Sequence, residues 1–429
     1  MAIPNQPPKG FKDVFDNEAW LENVVSQALT NIHFMRGYKL LKLPIIERET
    51  SFSKEVVGSS PWPEWNEKNC ISLSLEDYDG SYHKVGSMKG LLIPEGTVSV
   101  ARWLSTIVEE TNHPLPLKIM YNCPCFRNES VDSLIEGHKL RQFDQFGMEI
   151  LGSSSFYANI ETMLLIVDGL AHLGIDRDEV LVRLGDIRLY NSLAEKTRLD
   201  YEDTIFCKEL LDQIAENRAK KEDVSGLRKN LYQRIGFEHL EDSLRIAWND
   251  ITKVAANYDE ISEISEILPS EHITSLKRMA EYLYELGVKS ILDLAVVRSH
   301  EYYTSVVMEV DVYNENHQVI EVAGGGRYDR LISPFTPEEY PPIPAIGYAY
   351  GLQRVCKLLR KTNNDNGIEF TMRLRPEQKL VIPRTGNPVK DYRFANLCIK
   401  EGKQADVFLG DDASNINFYA KSNGADIAK

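Results

Sequence analysis

The sequence predicts an α+β fold on three observations. Two stretches of alternating residues that double back on themselves, Asn69–Ser87 and the run from Ile291 past Asn314–His317, read as antiparallel hairpins. Amphipathic helical patterns flank them at Glu18–Arg36 and near Tyr348–Lys361. Between them, Gly185 to Gly287 turns helical and charge-laced, as in "KELLDQIAENRAKKED", and reads as a helical insertion.

Taken in order, the first helix places Trp20, Val24, Leu29 and Ile32 among its apolar positions and ends at Gly37. "YKLLKLPII" follows as a short strand broken at Pro44. The first hairpin turns at Asp79-Gly80, and "GLLIPEGTVSVARWLSTIVEE" is a turn feeding a helix that Thr97 is placed to cap. "KIMYNCPCFRNE" and "KLRQFDQFGMEI" are two strands joined by a polar loop. "VVRSHEYYTSVVMEV", Val296–Val310, reads as a strand with Arg298, His300 and Glu301 interrupting it, and "AGGGRYD" sets Gly324–Gly326 directly after a strand. A helix starts near "YAYGLQRVCKLLRK", and the polar linker "KTNNDNGIEF" leads into a tail.

Composition narrows the classes. With 429 residues, 43% hydrophobic and 26% charged, the chain is long enough for two or three domains around a large core. No apolar run approaches the roughly 18 residues of a membrane helix, and the N-terminus lacks a signal-peptide core, so a cytoplasmic protein without a membrane partner is expected. The six cysteines are scattered apart from Cys123 and Cys125, which argues against a disulfide scaffold, and "CPC" lacks a second ligand pair at metal spacing. A net charge of −15 excludes nucleic-acid binding by bulk basicity. Any such contact must be local, and the segment Arg375–Lys429 is slightly basic, with nine Lys/Arg against seven Asp/Glu.

The chemistry concentrates on a few faces. Strand alternation puts Arg141, Phe143, Gln145 and Glu149 on one face, opposite Leu140, Met148 and Ile150, and gives Arg127 and Glu129 a shared parity. Two arginines and two carboxylates around an aromatic suit a nucleotide: guanidinium for phosphate, ring face for base. A solvated face with cross-strand ion pairs would use the same residues. Tyr302 and Tyr303 offer hydroxyls on apolar bodies, suited to orienting a small polar ring. The triple glycine allows close backbone approach but is neither a dinucleotide fingerprint nor a phosphate loop. Arg354, in the first turns of its helix, could meet a phosphate.

Order makes these signals specific. "FRNE…RQFDQFGMEI", "VVRSHEYYT", "AGGGRYD" and "GLQRV", with "PPKGFKDV", "GYKLLKLPIIERETSF" and "IPEGT" upstream, resemble class II aminoacyl-tRNA synthetases of the histidyl type over nearly the whole chain. The resemblance implies a class II antiparallel sheet flanked by helices. It divides the chain into catalytic segments at 1–185 (with dimer-interface parts) and 288–365, a helical insertion at 186–287, and a truncated anticodon-binding-like α/β domain at 375–429. It implies ATP-dependent activation of histidine and transfer to tRNA(His), with ATP as substrate, Mg2+ alongside it, and a homodimer. Arg127 would hold the α-phosphate, Glu129 and Phe143 the adenine, Arg354 the γ-phosphate, and Arg141 would sit by the phosphates. Arg298 resembles the family's catalytic arginine. Glu95, Thr97, Gln145 and Glu149 would hold the histidine backbone, and Tyr302 and Tyr303 would line the imidazole pocket.

The chain departs from the family pattern at Ile93 (usually Arg), at Ser299-His300-Glu301 (usually Gly-Leu-Asp), at Gln353 (usually Glu), and in a longer loop over 130–138. Two other readings share many of these residues. One is a non-catalytic histidine-sensing subunit, like the regulatory paralogue that partners ATP phosphoribosyltransferase; the other is an amino-acid-activating paralogue with a different acceptor. The full set of ATP-contacting residues favours the ligase, whereas Gln353 and the short tail favour the regulatory subunit.

Overall fold

A computed structural model describes residues 5–15, 17–58, 70–111, 114–129, 140–261, 264–298, 300–313, 318–361 and 378–429. The loop expected at 130–138, the hairpin tip at 314–317, Ser299 and most of the polar linker lie outside the described residues.

Helix α1 (Asn17–Met35) turns its Val25, Ala28, Leu29 and His33 inward at helical spacing. Trp20, expected on that face, is exposed, because it lies about 140° round the helix from Val25. Strand β1 (Lys39–Leu40) follows, then β2 (Ile46–Arg48), so the break at Pro44 is observed. After a single helical turn, α2 (Lys54–Val57), come β3 (Ser72–Tyr78) and β4 (Lys84–Leu92) of the first hairpin. Its loop is one residue longer than an Asp-Gly turn. The Asp79 carboxylate accepts from the Ser81 and His83 amides at 2.8 and 2.9 Å, and the left-handed residue is Tyr82, at φ 60°. Strands β2, β4 and β3 form a small antiparallel sheet.

Helix α3 (Thr97–Thr111) is capped differently from the expectation. Glu95 accepts from the Thr97 and Val98 amides at 3.2 and 2.8 Å, which frees the Thr97 hydroxyl for another partner. Then come β5 (Leu117–Phe126), β6 (Gln142–Leu151), α4 (Phe156–His172) and β7 (Val180–Asp186). The expected helical run is α5 (Ile187–Thr197), α6 (Tyr201–Ala219), α7 (Ser225–Arg234), α8 (Asp242–Lys253) and α9 (Ser270–Glu285), with the two-residue strand β8 (Ala255–Ala256) between the last two. Strands β9 (Ser290–Asp293), β10 (Val306–Tyr313), β11 (Val319–Arg327) and β12 (Ala345–Gly351) complete the main sheet, and α10 (Leu352–Lys361) follows.

Two strand expectations are corrected. Val296–Arg298 and His300–Ser305 form no strand, and the β10 ladder starts at Val306; Arg298 adopts φ 42°, which is incompatible with an extended ladder. Gly324–Gly326 lie inside β11, paired on both sides, rather than after a strand.

Among the described residues the main sheet has nine strands in the order β1-β5-β6-β12-β11-β10-β7-β9-β8, antiparallel except at β1/β5 and β7/β9. Alternation sorts its residues. Phe146, Met148, Ile150, Tyr348 and Tyr350 pack toward α1 and α4, where Tyr350 donates to the Ile166 carbonyl at 2.7 Å and His33 meets the Tyr348 hydroxyl at 2.5 Å. Gln145, Gly147 and Glu149 fall on the opposite face, as their parity requires.

The tail forms β13 (Lys379–Ile382), α11 (Pro388–Lys400), β14 (Gln404–Val407), α12 (Ile416–Ser422) and β15 (Asp426–Ile427), a parallel three-stranded α/β unit. A buried charge cluster joins it to the main sheet. Lys118 of β5 pairs with Glu161 of α4 at 2.8 Å and with Asp406 of β14. Tyr38 and Tyr392 donate to Glu161 at 2.9 and 2.7 Å, and Tyr419 donates to Asp406 at 2.8 Å. Among the described residues no helix is long and apolar enough to cross a membrane.

Removing one member of such a cluster strands the others in low dielectric. Lys118→Ala should therefore destabilise the protein by about 3–5 kcal/mol in urea unfolding. A change within about 1 kcal/mol would mean that water reaches the carboxylates.

Candidate active site

Glycines on the open face of the sheet are the spaces into which functional side chains lie. A Cβ on Gly324 would sit 2.0 Å from the Arg298 guanidinium, one on Gly347 would sit 1.4 Å from the Glu149 carboxylate, and one on Gly147 would sit 2.2 Å from the Tyr121 ring. Register aligns these positions. Gly324 of β11 pairs with Ala349 of β12, which pairs with Gly147 of β6, which pairs with Tyr121 of β5. The result is a floor of small residues, and a cavity of about 370 Å3 stands over it.

One end of the cavity is built from carboxylates and hydroxyls. Glu149 accepts from Thr97 Oγ1 at 3.0 Å, Tyr121 at 3.2 Å and Tyr328 at 2.5 Å. Gln145 Oε1 accepts from the Gly96 amide at 3.0 Å, and Gln145 itself lines the cavity. Glu95 is committed to capping α3, and burial pushes its carboxyl upward. The Tyr302 and Tyr303 rings lie 4.8 Å apart, and Tyr302 meets Tyr328 edge-on at 6.1 Å. His300 lines the same wall, near-parallel to Tyr303 at 5.9 Å and edge-on to Tyr302 at 5.4 Å. Burial, then Arg298, Arg127 and Lys208, hold its imidazole well below the usual range, so it is neutral.

The other end gathers cations. Arg127 donates to the Pro94 carbonyl at 3.1 Å and lies 4.9 Å over the Phe143 ring, so a cation occupies the ring face expected for a base. Glu129 lines the cavity beside them. Arg298 Nη1 lies 3.4 Å from Glu309 and 3.5 Å from Glu321, and Arg354 Nη1 lies 3.4 Å from Glu321. Glu309 is anchored in turn by Arg183 at 2.6 Å, which also holds Asp311 at 2.7 Å. Arg298 pays for this placement with its left-handed backbone, which costs a non-glycine residue roughly 1–3 kcal/mol.

Of the residues singled out from the sequence, the cavity wall collects Glu95, Thr97, Arg127, Glu129, Phe143, Gln145, Arg298, Tyr302, Tyr303 and Arg354. Glu149 lies buried beneath it. Arg141 is the exception: it does not line the cavity, and its guanidinium donates to the Lys9 and Glu129 carbonyls at 3.4 and 3.3 Å, tying down the N-terminal segment.

Two departures resolve locally. Ile93 is fully buried in the apolar core. Gln353 accepts from the Asp144 amide at 2.9 Å while donating to the Asp144 carboxylate at 3.0 Å, a double role that an ionised glutamate could not fill. The sequence reading missed Tyr328, Glu309 and Glu321. The signals were present: a tyrosine inside "AGGGRYD", and carboxylates within the apolar runs "VVMEVDV" and "VIEVAGGG".

Glu149 carries the clearest titration. Burial pushes its carboxyl up to about 8, Glu95 adds to the rise, and the Tyr328, Thr97 and Tyr121 hydroxyls oppose it. An unfolded chain binds this proton only below about pH 4.3. The stability contributed by protonated Glu149 is therefore full below that value and lost as pH rises through about 8. Thermal midpoints of the parent should fall relative to Glu149→Gln across that window. Parallel curves would mean that Glu149 is already ionised in the fold.

Comparison with known proteins agrees with this geometry. The histidine–tRNA ligase of Methanocaldococcus jannaschii is 28% identical over 430 residues, covering 99% of this chain and 91% of that protein. The histidyl-tRNA synthetase of Nostoc sp. PCC 7120 superposes with a TM-score of 0.62 at 18% identity, covering 99% of this chain and 90% of that one. A Bacillus halodurans structure described as an ATP phosphoribosyltransferase regulatory subunit/histidyl-tRNA synthetase superposes with a TM-score of 0.64 at 18% identity, covering 100% and 98%. At such identities the structures establish the class II fold alone. The family model for histidyl-tRNA synthetase matches residues 10–355, the span that builds the sheet and its cavity, and the chain belongs to that family.

Proposed function

We propose that the protein is a histidine–tRNA ligase that activates histidine with ATP and passes it to tRNA(His). The observation that carries this reading is the division of one cavity into an amino-acid end, with Glu95, Thr97, Gln145, Tyr302, Tyr303 and Tyr328 around buried Glu149, and a phosphate end with Arg127, Arg298 and Arg354. A regulatory subunit that only senses histidine would need the first end alone.

In this mechanism a histidine carboxylate oxygen attacks the ATP α-phosphorus, and the bond to pyrophosphate breaks, giving histidyl-adenylate. A tRNA hydroxyl then attacks the acyl carbon and AMP leaves. No side-chain nucleophile is required; the protein supplies position and charge. Glu95, Thr97, Gln145 and Glu149 orient the histidine main chain, and Tyr303 beside Tyr302 borders its ring. Arg298, fixed over Gly324, stabilises charge developing on the α-phosphate together with Arg127, and Arg354 takes the γ-phosphate. Adenine displaces the Arg127 guanidinium from the Phe143 ring, with Glu129 at its edge.

Mg2+ enters as MgATP, bound mainly by phosphates, with Glu129 as a neighbour on the cavity wall. Among the described residues no cluster of three metal-ligating side chains exists, which fits an ion carried by the nucleotide. In the same reading, residues 1–185 and 288–365 form the catalytic unit of a homodimer, 186–287 an insertion, and 375–429 the anticodon-side unit.

Arg298→Ala should slow histidine-dependent pyrophosphate exchange by about 10²–10³, or about 3–4 kcal/mol in the transition state. Tyr303→Phe should raise the KM for histidine and leave that for ATP unchanged. An Arg298→Ala rate equal to the parent's would refute the mechanism. Absence of exchange with any amino acid, alongside measurable histidine binding, would favour the regulatory reading.

A further inference from the structure

One carboxylate at the phosphate end has no role in the steps above. Glu321 lies on β11, three residues before Gly324, and its two oxygens face two arginines that arrive from different elements. Oε1 is 3.5 Å from Arg298 Nη1, and Oε2 is 3.4 Å from Arg354 Nη1. Arg354 Nη1 also donates to the Glu321 main-chain carbonyl at 3.2 Å. Arg298 comes from the loop before β10 and Arg354 from the first turn of α10, so neither element by itself sets the distance between the two guanidinium groups.

Arg298 thus stands between two unlike carboxylates. Glu309 is nearly buried and clamped by Arg183 at 2.6 Å, which makes it a fixed anchor. Glu321 keeps about a third of its side chain accessible (32%). Its contacts are longer than the 2.7–2.9 Å of a tight charge-assisted bond, so a stronger anion can replace it. Burial opposes its ionisation, but Arg354, Arg298 and Arg183 hold the group below the usual carboxylate range, and it faces them as an anion.

We propose that Glu321 is a positioning residue, an internal stand-in for the triphosphate that holds Arg298 and Arg354 across one short anionic bridge until the nucleotide takes its place. The proposal rests on the ATP-dependent reading above and predicts a split that a merely structural role would not produce. Removing the charge raises the positive potential that ATP meets, which tightens ground-state binding. It also removes one of the two carboxylates that constrain Arg298, which slows the chemical step.

The test is histidine-dependent exchange of pyrophosphate into ATP by the full chain, with direct ATP binding and thermal midpoints, for the parent, Glu321→Gln and Glu321→Asp. Glu321→Gln, of equal volume, should lower kcat by about tenfold or more and lower the KM and Kd for ATP by about threefold. Glu321→Asp keeps the charge but cannot span both arginines, so kcat should fall without a gain in ATP affinity. An unchanged kcat in Glu321→Gln would overturn the proposal. So would a joint loss of rate, ATP affinity and thermal midpoint, which marks a structural role. No exchange by the parent would overturn the adenylation reading and this proposal with it.

Discussion

Missing side chains on one face of the main sheet, in two neighbouring rows, are the constraint on which the site depends. Gly324, Gly347 and Gly147 leave volumes that are filled by the Arg298 guanidinium, the Glu149 carboxylate and the Tyr121 ring, with distances to a hypothetical Cβ of 2.0, 1.4 and 2.2 Å. Three polar groups can lie flat on a β-surface only if that surface presents no Cβ beneath them. Any larger residue would have to displace one of them, since the sheet itself is paired on both sides at each position.

That floor explains why so much charge is stable in one place. Arg183 pairs across β7 and β10 with Glu309, and Glu309 with Arg298, while Arg183 also meets Asp311 and Asp293. Charges this deep are tolerated because each is shared by several opposite partners, and the network extends into the helical run through the Arg218–Asp293 pair. Arg298 is thus held from behind by the sheet rather than by the loop that carries it. The loop contributes a strained backbone, φ 42° at Arg298, and that strain persists because buried Val296 and Val297 fix its entry.

Much of this was legible in the residues. Period-two alternation sorted Gln145 and Glu149 from Met148 and Ile150 correctly, because a strand with one apolar face has only one register that buries it. The helical run, the hairpins and α1 followed from patterns of similar strength, but the stretch from Tyr348 that reads as the start of a helix belongs to strand β12, and α10 begins only at Leu352. The errors have a common cause. Val296–Val310 was read as a strand because its valines and tyrosines favour one, yet a positive φ at a single arginine ends the extended geometry, and no propensity announces that. Thr97 had the right chemistry for a cap, but Glu95 caps the helix from earlier in the chain, taking the Thr97 and Val98 amides with its two oxygens. Arg141 shared a face with the site, and the N-terminal segment claimed it.

The sequence alone determined the family, through the order of its motifs, and supplied residue types suited to the proposed chemistry: arginines for phosphates, tyrosines and carboxylates for a small polar substrate. Side-chain type and short-range spacing suffice for that. The tertiary structure decided which carboxylate restrains which arginine and where the tail docks, because those pairs are far apart in the chain: Glu321 meets Arg354 across 33 positions and Lys118 meets Asp406 across 288. Such partners are chosen by strand register and by which buried charges must be neutralised together, and both are properties of the assembled sheet rather than of any segment.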